Sequence, residues 1–172
     1  RHHVNDIVHE EDIASVVVVT DRDDASDAKI RRGINNSLKK ISVNSGQWLK
    51  NTIEDSFGQQ KNISTYLLIV PDSQKGALER AIIDALNEIP EETELMQEVI
   101  QFVHSLKEEL VPELNKINSA NKATVGTFFS VRNPKNAMRA FGTYISTIDW
   151  SKSASLKALF LPLKYLGEEK PV

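Results

Sequence analysis

The chain contains no cysteine among its 172 residues. That absence excludes disulfide bonds, thiolate zinc sites and a thiol nucleophile, and it fits a reducing compartment such as the cytoplasm. No apolar run reaches the roughly 20 residues that a transmembrane helix needs, and no signal-peptide pattern opens the sequence. We therefore expect a cytoplasmic protein with no membrane partner.

The sequence also lacks an excess of positive charge, since its net charge is -3. Nucleic-acid binding would therefore have to rest on a local basic patch. There is no glycine-rich phosphate loop, no Ser-His-Asp arrangement and no aromatic signature of nucleic-acid binding. The 172 residues suffice for one sizeable domain, and we expect residues 1–172 to form it. Because the chain opens on Arg1 rather than Met, we expect an N-terminal portion of the encoded protein to be missing.

Apolar runs and periodicity predict an α/β fold with a small, mostly parallel sheet flanked by helices. Ile13 to Thr20 is rich in β-branched residues and predicts a fully buried strand, and Ile63 to Val70 predicts a second strand. The apolar spacing over Asp24 to Ile41 predicts a helix, capped either by its first residue or by Ser26. Val43 to Asn62 is interpreted as a loop.

The second half of the chain is dominated by helical periodicity. A helix is predicted from Lys75 until Pro90 ends it, and a long apolar stripe over Glu92 to Ile117 predicts another helix, kinked or split by Pro112. Asn118 to Val131 permits either a strand or a helix. With two further helical stripes toward the C-terminus, we expect at least two strands and about five helices.

The first predicted strand ends abruptly in carboxylates. Asp21 and Asp23 would lie at its carboxyl end, where open α/β sheets bind ligands. Oxygen ligands in this position suit Mg²⁺, which is bound by one or two carboxylates together with water and substrate phosphate. Asp24 is a third candidate ligand. The alternative is purely structural, because Asp residues after a strand often turn the chain or cap a helix.

Two segments resemble a known family. Residues 20–26, with the sequence TDRDDAS, are similar to the second motif of the TOPRIM domain, an α/β module of topoisomerases, bacterial primases and overcoming-lysogenization-defect nucleases. Residues 71–79, with the sequence PDSQKGALE, resemble a Pro-Asp…Gly-x-Leu-Glu segment in a prokaryotic family of TOPRIM-like proteins of unknown function. The resemblance runs from Ile13 to Leu166.

The resemblance implies metal-assisted phosphoryl transfer on nucleic acid, either DNA or RNA, with Mg²⁺ or Mn²⁺ held by Asp21 and Asp23. TOPRIM domains also carry a Glu at the end of an earlier strand. Only twenty residues precede Asp21, and Glu10 and Glu11 follow no apolar strand. Either that Glu lies upstream of Arg1, or this protein has lost it and is inactive.

Five further residues are candidates for the site. Glu79 and Lys122 are the candidate catalytic residues, Glu79 as a carboxylate facing the metal and Lys122 as a phosphate contact. Lys29, Arg31 and Arg32 form a basic cluster that could hold a nucleic-acid backbone. The alternatives are a Glu that complements a helix dipole, an exposed lysine and a solvated charged face.

The leading functional hypothesis is a Mg²⁺-dependent nuclease. Its rival is a non-catalytic TOPRIM-like module that binds nucleic acid or a protein. A third hypothesis is a phosphatase-like hydrolase of a small phosphoester, because haloacid-dehalogenase-like phosphatases also place Asp-x-Asp after a strand. In those enzymes Gly and a hydroxylated residue usually follow the pair, whereas this chain has Asp24 and Ala25.

Overall fold

A computed structural model describes residues 13–55, 57–72, 76–106, 110–139, 142 and 144–166, with the side chains of residues 136, 138 and 139 left out. Residues 73–75, which belong to the segment PDSQKGALE, therefore lie outside the described part. The chain divides into two compact units, Arg1–Lys75 with Pro162–Val172, here called the sheet unit, and Gly76–Leu161, the helical unit. Among the described helices, none combines the length and apolar character needed to cross a membrane.

The described residues of the sheet unit form three strands: β1 (Ser15–Asp21), β2 (Leu49–Glu54) and β3 (Gln60–Val70). Their spatial order is β1-β3-β2. β1 runs parallel to β3, whereas β2 runs antiparallel to it. The predicted α/β class is confirmed, with a small mixed sheet in which one of the two pairings is parallel.

The central strand is β3, and β1 lies at an edge of the described sheet. Every residue from Tyr66 to Val70 is buried. In β1, by contrast, Val19 is 60% exposed and none of the strand residues is fully buried. The prediction that the valine run is a fully buried strand is therefore wrong. β-Branched residues favour both central and edge strands, so composition alone does not separate the two.

β2 was predicted to be part of a loop over Val43 to Asn62, and that prediction is wrong. Its residues alternate in burial: Ile53 is buried, and the neighbouring Thr52 and Glu54 are exposed. This period of two is the mark of a strand with one buried face. The alternation is not visible in the sequence, because the inward-facing residue Asn51 is polar. Its amide donates to the Thr65 hydroxyl at 2.9 Å.

Helix α1 (Asp27–Leu38) follows β1 and packs on the sheet. The Ser26 hydroxyl accepts a hydrogen bond from the Lys29 amide, so Ser26 is the N-cap and Asp24 is not. The apolar stripe of α1 joins the core of the sheet unit with residues from all three strands. That core contains Leu38, Ile41, Val43, Ile53, Ile63, Leu67 and Ile69, with Val16, Val18, Ile30 and Ile34 packed against it.

The helical unit begins with α2 (Leu78–Glu88), α3 (Pro90–Ser105) and α4 (Ile117–Arg132), and α5 (Ala154–Phe160) follows. With α1, these are the five α-helices of the described residues, as expected. The segment that permitted strand or helix is helical. The long stripe is split, because α3 ends well before Pro112. Short 3₁₀ helices span Pro112–Asn115, Pro134–Arg139, Ile145–Thr147, Trp150–Lys152 and Leu161–Tyr165.

α2, α3 and α4 enclose the core of the helical unit. Phe128 and Phe129 lie at its centre, at most 1% exposed, with their rings edge to face at 5.4 Å between centroids. The other buried members are Ile82, Ile83, Leu86, Ile89, Met96, Val99, Val103, Leu114, Val125 and Ile148. This core is separate from the core of the sheet unit.

Candidate metal centre

The candidate centre lies where β1 and β3 end. In the parallel register Asp21 lies opposite Val70, and these are the last residues of their strands. The amide of Arg22 continues the pairing with one more hydrogen bond, to the Val70 carbonyl at 2.8 Å. The predicted position of Asp21, at the carboxyl end of a parallel strand, is therefore observed.

The loop from β1 to α1 presents three carboxylates. Asp21, Asp23 and Asp24 are all exposed. The backbone of Asp23 is left-handed, with φ of 48°, a conformation that Asp tolerates better than most residues. A turn bond from the Ala25 amide to the Arg22 carbonyl at 3.0 Å then leads the chain into α1. The loop therefore holds two solvent-facing carboxylates on either side of Arg22.

Arg22 makes several side-chain contacts from this loop. Its Nε donates to the Pro71 carbonyl at 2.8 Å, and its Nη2 donates to the Asp72 carbonyl. Its Nη1 forms an ion pair with Asp27 in the first turn of α1. The Arg22 side chain is only 12% exposed. No role for Arg22 was predicted from the sequence; its position between two candidate metal ligands was the available signal.

Three carboxylates do not amount to a complete metal-binding cage. Within the described ranges, no group of three or more His, Asp or Glu residues is placed to hold a metal ion. Asp21, Asp23 and Asp24 therefore do not form such a group together. The donor set fits a cation that keeps most of its water, since Mg²⁺ is commonly bound through one or two carboxylates.

The predicted basic cluster lies on α1, directly after this loop. Lys29, Arg31 and Arg32 are all exposed. Arg31 is tied to the loop that follows α1, because its Nη1 donates to Oδ1 of Asn44 at 2.6 Å. The Asn44 carbonyl in turn accepts from the Leu67 amide of β3 at 2.9 Å. Arg31 thus has a structural contact, which a phosphate ligand would have to share.

The two candidate catalytic residues belong to the helical unit. Glu79 lies in the first turn of α2 and is half-buried, a position that also suits a Glu complementing the helix dipole. Lys122 is exposed on α4. That either side chain faces Asp21 stays a prediction.

Tyr66 lies in the middle of β3, opposite Val17 of β1. Burial raises the pKa of its phenol, and the negative charge of Asp72 raises it further, while a hydrogen bond with the Gly46 backbone acts in the opposite direction. The Tyr66 ring packs on Trp48 with 5.3 Å between centroids. Tyr66 is thus a neutral, packed residue at neutral pH and is no candidate base.

Comparison with known proteins gives one match. A family model described as protein of unknown function (DUF3226) matches residues 1–162. No curated protein matches the chain. No solved structure matches it either.

Proposed function

The chain belongs to the family of proteins of unknown function (DUF3226), and we propose that it is a Mg²⁺-dependent phosphoryl-transfer enzyme of the TOPRIM type that acts on nucleic acid. Asp21 and Asp23 would hold the ion, Mg²⁺ or Mn²⁺, together with water molecules. Asp24 is a further candidate ligand from the same loop. The substrate class is a phosphodiester of DNA or RNA.

One observation carries the proposal. Asp21 and Asp23 are exposed at the carboxyl end of the parallel pair β1–β3, and they flank an arginine whose own side chain is largely buried and engaged elsewhere. Ligand sites of open α/β sheets lie at this end of the strands. Two neighbouring carboxylates repel one another, and a bound cation relieves that repulsion.

Different residues of the chain would have different roles in phosphoryl transfer. A bound Mg²⁺ would supply stabilisation of the charge that develops on the phosphoryl oxygens. Lys29, Arg31 and Arg32 on α1 would neutralise neighbouring phosphates of the nucleic-acid backbone. Glu79 and Lys122 stay candidates from the sequence, Glu79 for a general acid or base and Lys122 for a phosphate contact.

The proposal is tested by cleavage assays with supercoiled plasmid and with single-stranded RNA, in Mg²⁺, in Mn²⁺ and in chelator. We expect cleavage that needs the metal and falls at least 100-fold in Asp21→Asn and in Asp23→Asn. The matched control is Asp84→Asn, which removes a carboxylate that pairs with Arg80 on α2. Equal cleavage by all variants, or cleavage in chelator, would contradict the proposal.

A non-catalytic binding module is the second candidate, and a specific observation favours it. Catalytic two-metal sites need more ligands than a pair of carboxylates, and the described residues contain no metal-binding group of three. Such a module would bind nucleic acid without metal and without cleavage. Fluorescence anisotropy in chelator, on wild type and on Lys29→Glu with Arg32→Glu, separates the two: binding without cleavage supports the module.

A further inference from the structure

We propose that Arg22 is a positioning residue that fixes the metal-binding loop to the end of β3; the proposal rests on the function proposed above. The Arg22 clamp is the Arg22 side chain together with the Pro71 carbonyl, the Asp72 carbonyl and the Asp27 carboxylate. It would hold the backbone on which Asp21 and Asp23 stand, and so set the distance between their carboxylates.

The clamp joins the loop before α1 and the start of α1 to a segment about fifty positions further along the chain. Pro71 and Asp72 follow β3, Asp27 opens α1, and Arg22 lies between β1 and α1. The Arg22 amide adds a bond to Val70 at 2.8 Å, so both its backbone and its side chain are attached to the end of β3. Each contact belongs to the sheet unit, and together they leave the loop little freedom to shift along the strand.

The chemistry of the clamp requires arginine. A guanidinium presents its donors in a rigid planar fork, which lets one side chain reach two carbonyls and a carboxylate at the same time. A lysine offers one flexible ammonium group and would lose at least one of these partners. Among the three acceptors, the Pro71 carbonyl belongs to a buried residue, so water would not fully replace its lost donor.

Asp27 gives the clamp a second property, which is charge balance. An unpaired guanidinium between Asp21 and Asp23 would repel a divalent cation. Paired with Asp27, whose side chain is 51% exposed, the guanidinium is neutralised locally, so that the two flanking carboxylates set the local potential. The clamp therefore supports cation binding through geometry and through charge.

The test is a calorimetric titration with Mn²⁺ on wild type, Arg22→Met, Arg22→Lys and Asp27→Asn. Loss of groups that orient metal ligands typically weakens binding by 10- to 100-fold, so we expect the dissociation constant to rise roughly 10-fold or more in Arg22→Met. Arg22→Lys should lie between wild type and Arg22→Met. Asp27→Asn should weaken Mn²⁺ binding although the Arg22 guanidinium is still present, because its charge is no longer neutralised. The matched control is Arg80→Met, which breaks an ion pair on α2.

Hydrogen exchange separates the clamp from the metal site itself. In Arg22→Lys and Arg22→Met the amides of residue 22 and Ala25 should exchange at least 10-fold faster, while amides at the centre of β3 stay protected. If wild type binds no Mn²⁺, the proposed function fails, and the exchange rates alone decide whether the clamp exists. The proposal would be overturned if amide exchange were unchanged in both arginine variants. It would also be overturned if the wild type bound Mn²⁺ and the arginine variants bound it with the same affinity.

Discussion

The two units of the molecule use their charged side chains differently. In the helical unit, two carboxylates have defined partners: Glu92 accepts from both Nε and Nη2 of Arg132 at 2.9 Å, and Glu88 accepts from the Ser153 hydroxyl and the Ser155 amide. In the sheet unit, Arg22 donates to two backbone carbonyls and to one carboxylate. The carboxylates beside it face solvent.

This difference separates structural charges from candidate functional ones. A carboxylate that accepts hydrogen bonds at the start of a helix, or that pairs with an arginine while buried, is explained by its contribution to stability. Exposed carboxylates on a loop held by backbone contacts add little to stability, because solvent screens them. Asp21 and Asp23 also lie at the carboxyl end of a parallel strand pair, where open α/β sheets bind ligands, and this is the reason for proposing the site in the sheet unit.

The two tryptophans allow each unit to be followed separately. Trp48 lies in the sheet unit and Trp150 in the helical unit, where its Nε1 donates to the Ile145 carbonyl at 2.5 Å. The chain contains no other tryptophan. In a Trp48→Phe background fluorescence reports on the helical unit, and in a Trp150→Phe background it reports on the sheet unit.

The largest expected effect on stability is in the helical core. Phe128→Ala removes a ring that is 0% exposed and leaves a cavity, so the free energy of unfolding should fall by about 4 kcal/mol. Urea denaturation followed through Trp150 measures it. Val19→Ala, at the exposed position of β1, is the contrasting change; it is followed through Trp48 and should stay within about 1 kcal/mol. Similar losses in both variants would contradict the assignment of core and edge.

The next effect concerns the pair between Glu92 and Arg132. Glu92 is buried, and its hydrogen bonds raise the pKa of the Arg132 guanidinium above its ordinary value. Arg132→Met leaves a buried carboxylate without its partner. Fully buried pairs lose roughly 3–5 kcal/mol in this way, and because the Arg132 side chain is 42% exposed we expect about 2 kcal/mol.

The control for Arg132→Met is Lys116→Met. It breaks an exposed pair with Glu113, where both side chains are more than 60% exposed, so the loss should be below about 0.5 kcal/mol. Denaturation of both variants through Trp150 compares them directly. Equal losses would mean that burial of Glu92 has no energetic consequence.

A smaller effect is expected at the start of α5. The hydroxyl of Ser153, which is 0% exposed, accepts from the Leu156 amide at 3.1 Å and caps this helix. Ser153→Ala should lower the free energy of unfolding by about 1 kcal/mol. Ser155→Ala is the neighbouring control, because its main contact with Glu88 is made by the backbone amide, which the substitution keeps. A loss as large in Ser155→Ala would contradict the capping role.

The smallest effect is a pH dependence at the same place. Burial acts to raise the pKa of Glu88, but hydrogen bonds from the Ser155 amide and from the Ser153 and Ser155 hydroxyls outweigh it and lower the pKa below 4.5. A lowered folded-state pKa means that the ionised group stabilises the fold above pH 4.5. That contribution is lost as the pH falls through the folded-state value.

The measurement is the stability difference between wild type and Glu88→Gln across this pH range. The difference should be constant from neutral pH down to about pH 5 and should shrink below pH 4.5. A difference that grows on acidification would show that the ionised carboxylate is not the favoured form in the folded state.

Local features could be predicted from the sequence where the spacing of apolar residues along the chain indicated a helix or a strand. The apolar spacing of Ile30, Ile34 and Leu38 gave α1, and the valine run that ends in Asp21 gave β1 and its boundary. The edge position of β1 depends on which strand pairs with it, and no local pattern encodes that. β2 was missed because its inward residue Asn51 is polar and bonds across the sheet.

The candidate site was predicted only in part, for a similar reason. Asp21 and Asp23 could be identified from their position after a strand. The role of Arg22 could not, since its acceptors at Pro71 and Asp72 are backbone carbonyls about fifty positions away, and backbone acceptors leave no residue signature. Whether Glu79 and Lys122 join the site remains a prediction for the same cleavage assays.

The most direct test of the central claim is calorimetric titration of Mg²⁺ into the wild-type protein and into a variant with both Asp21→Asn and Asp23→Asn. If the end of β1 is a metal site, wild type binds Mg²⁺ and the double variant shows no binding at the same concentrations, while both unfold at the same temperature. Absence of binding in the wild type, or equal binding in both proteins, would contradict the claim.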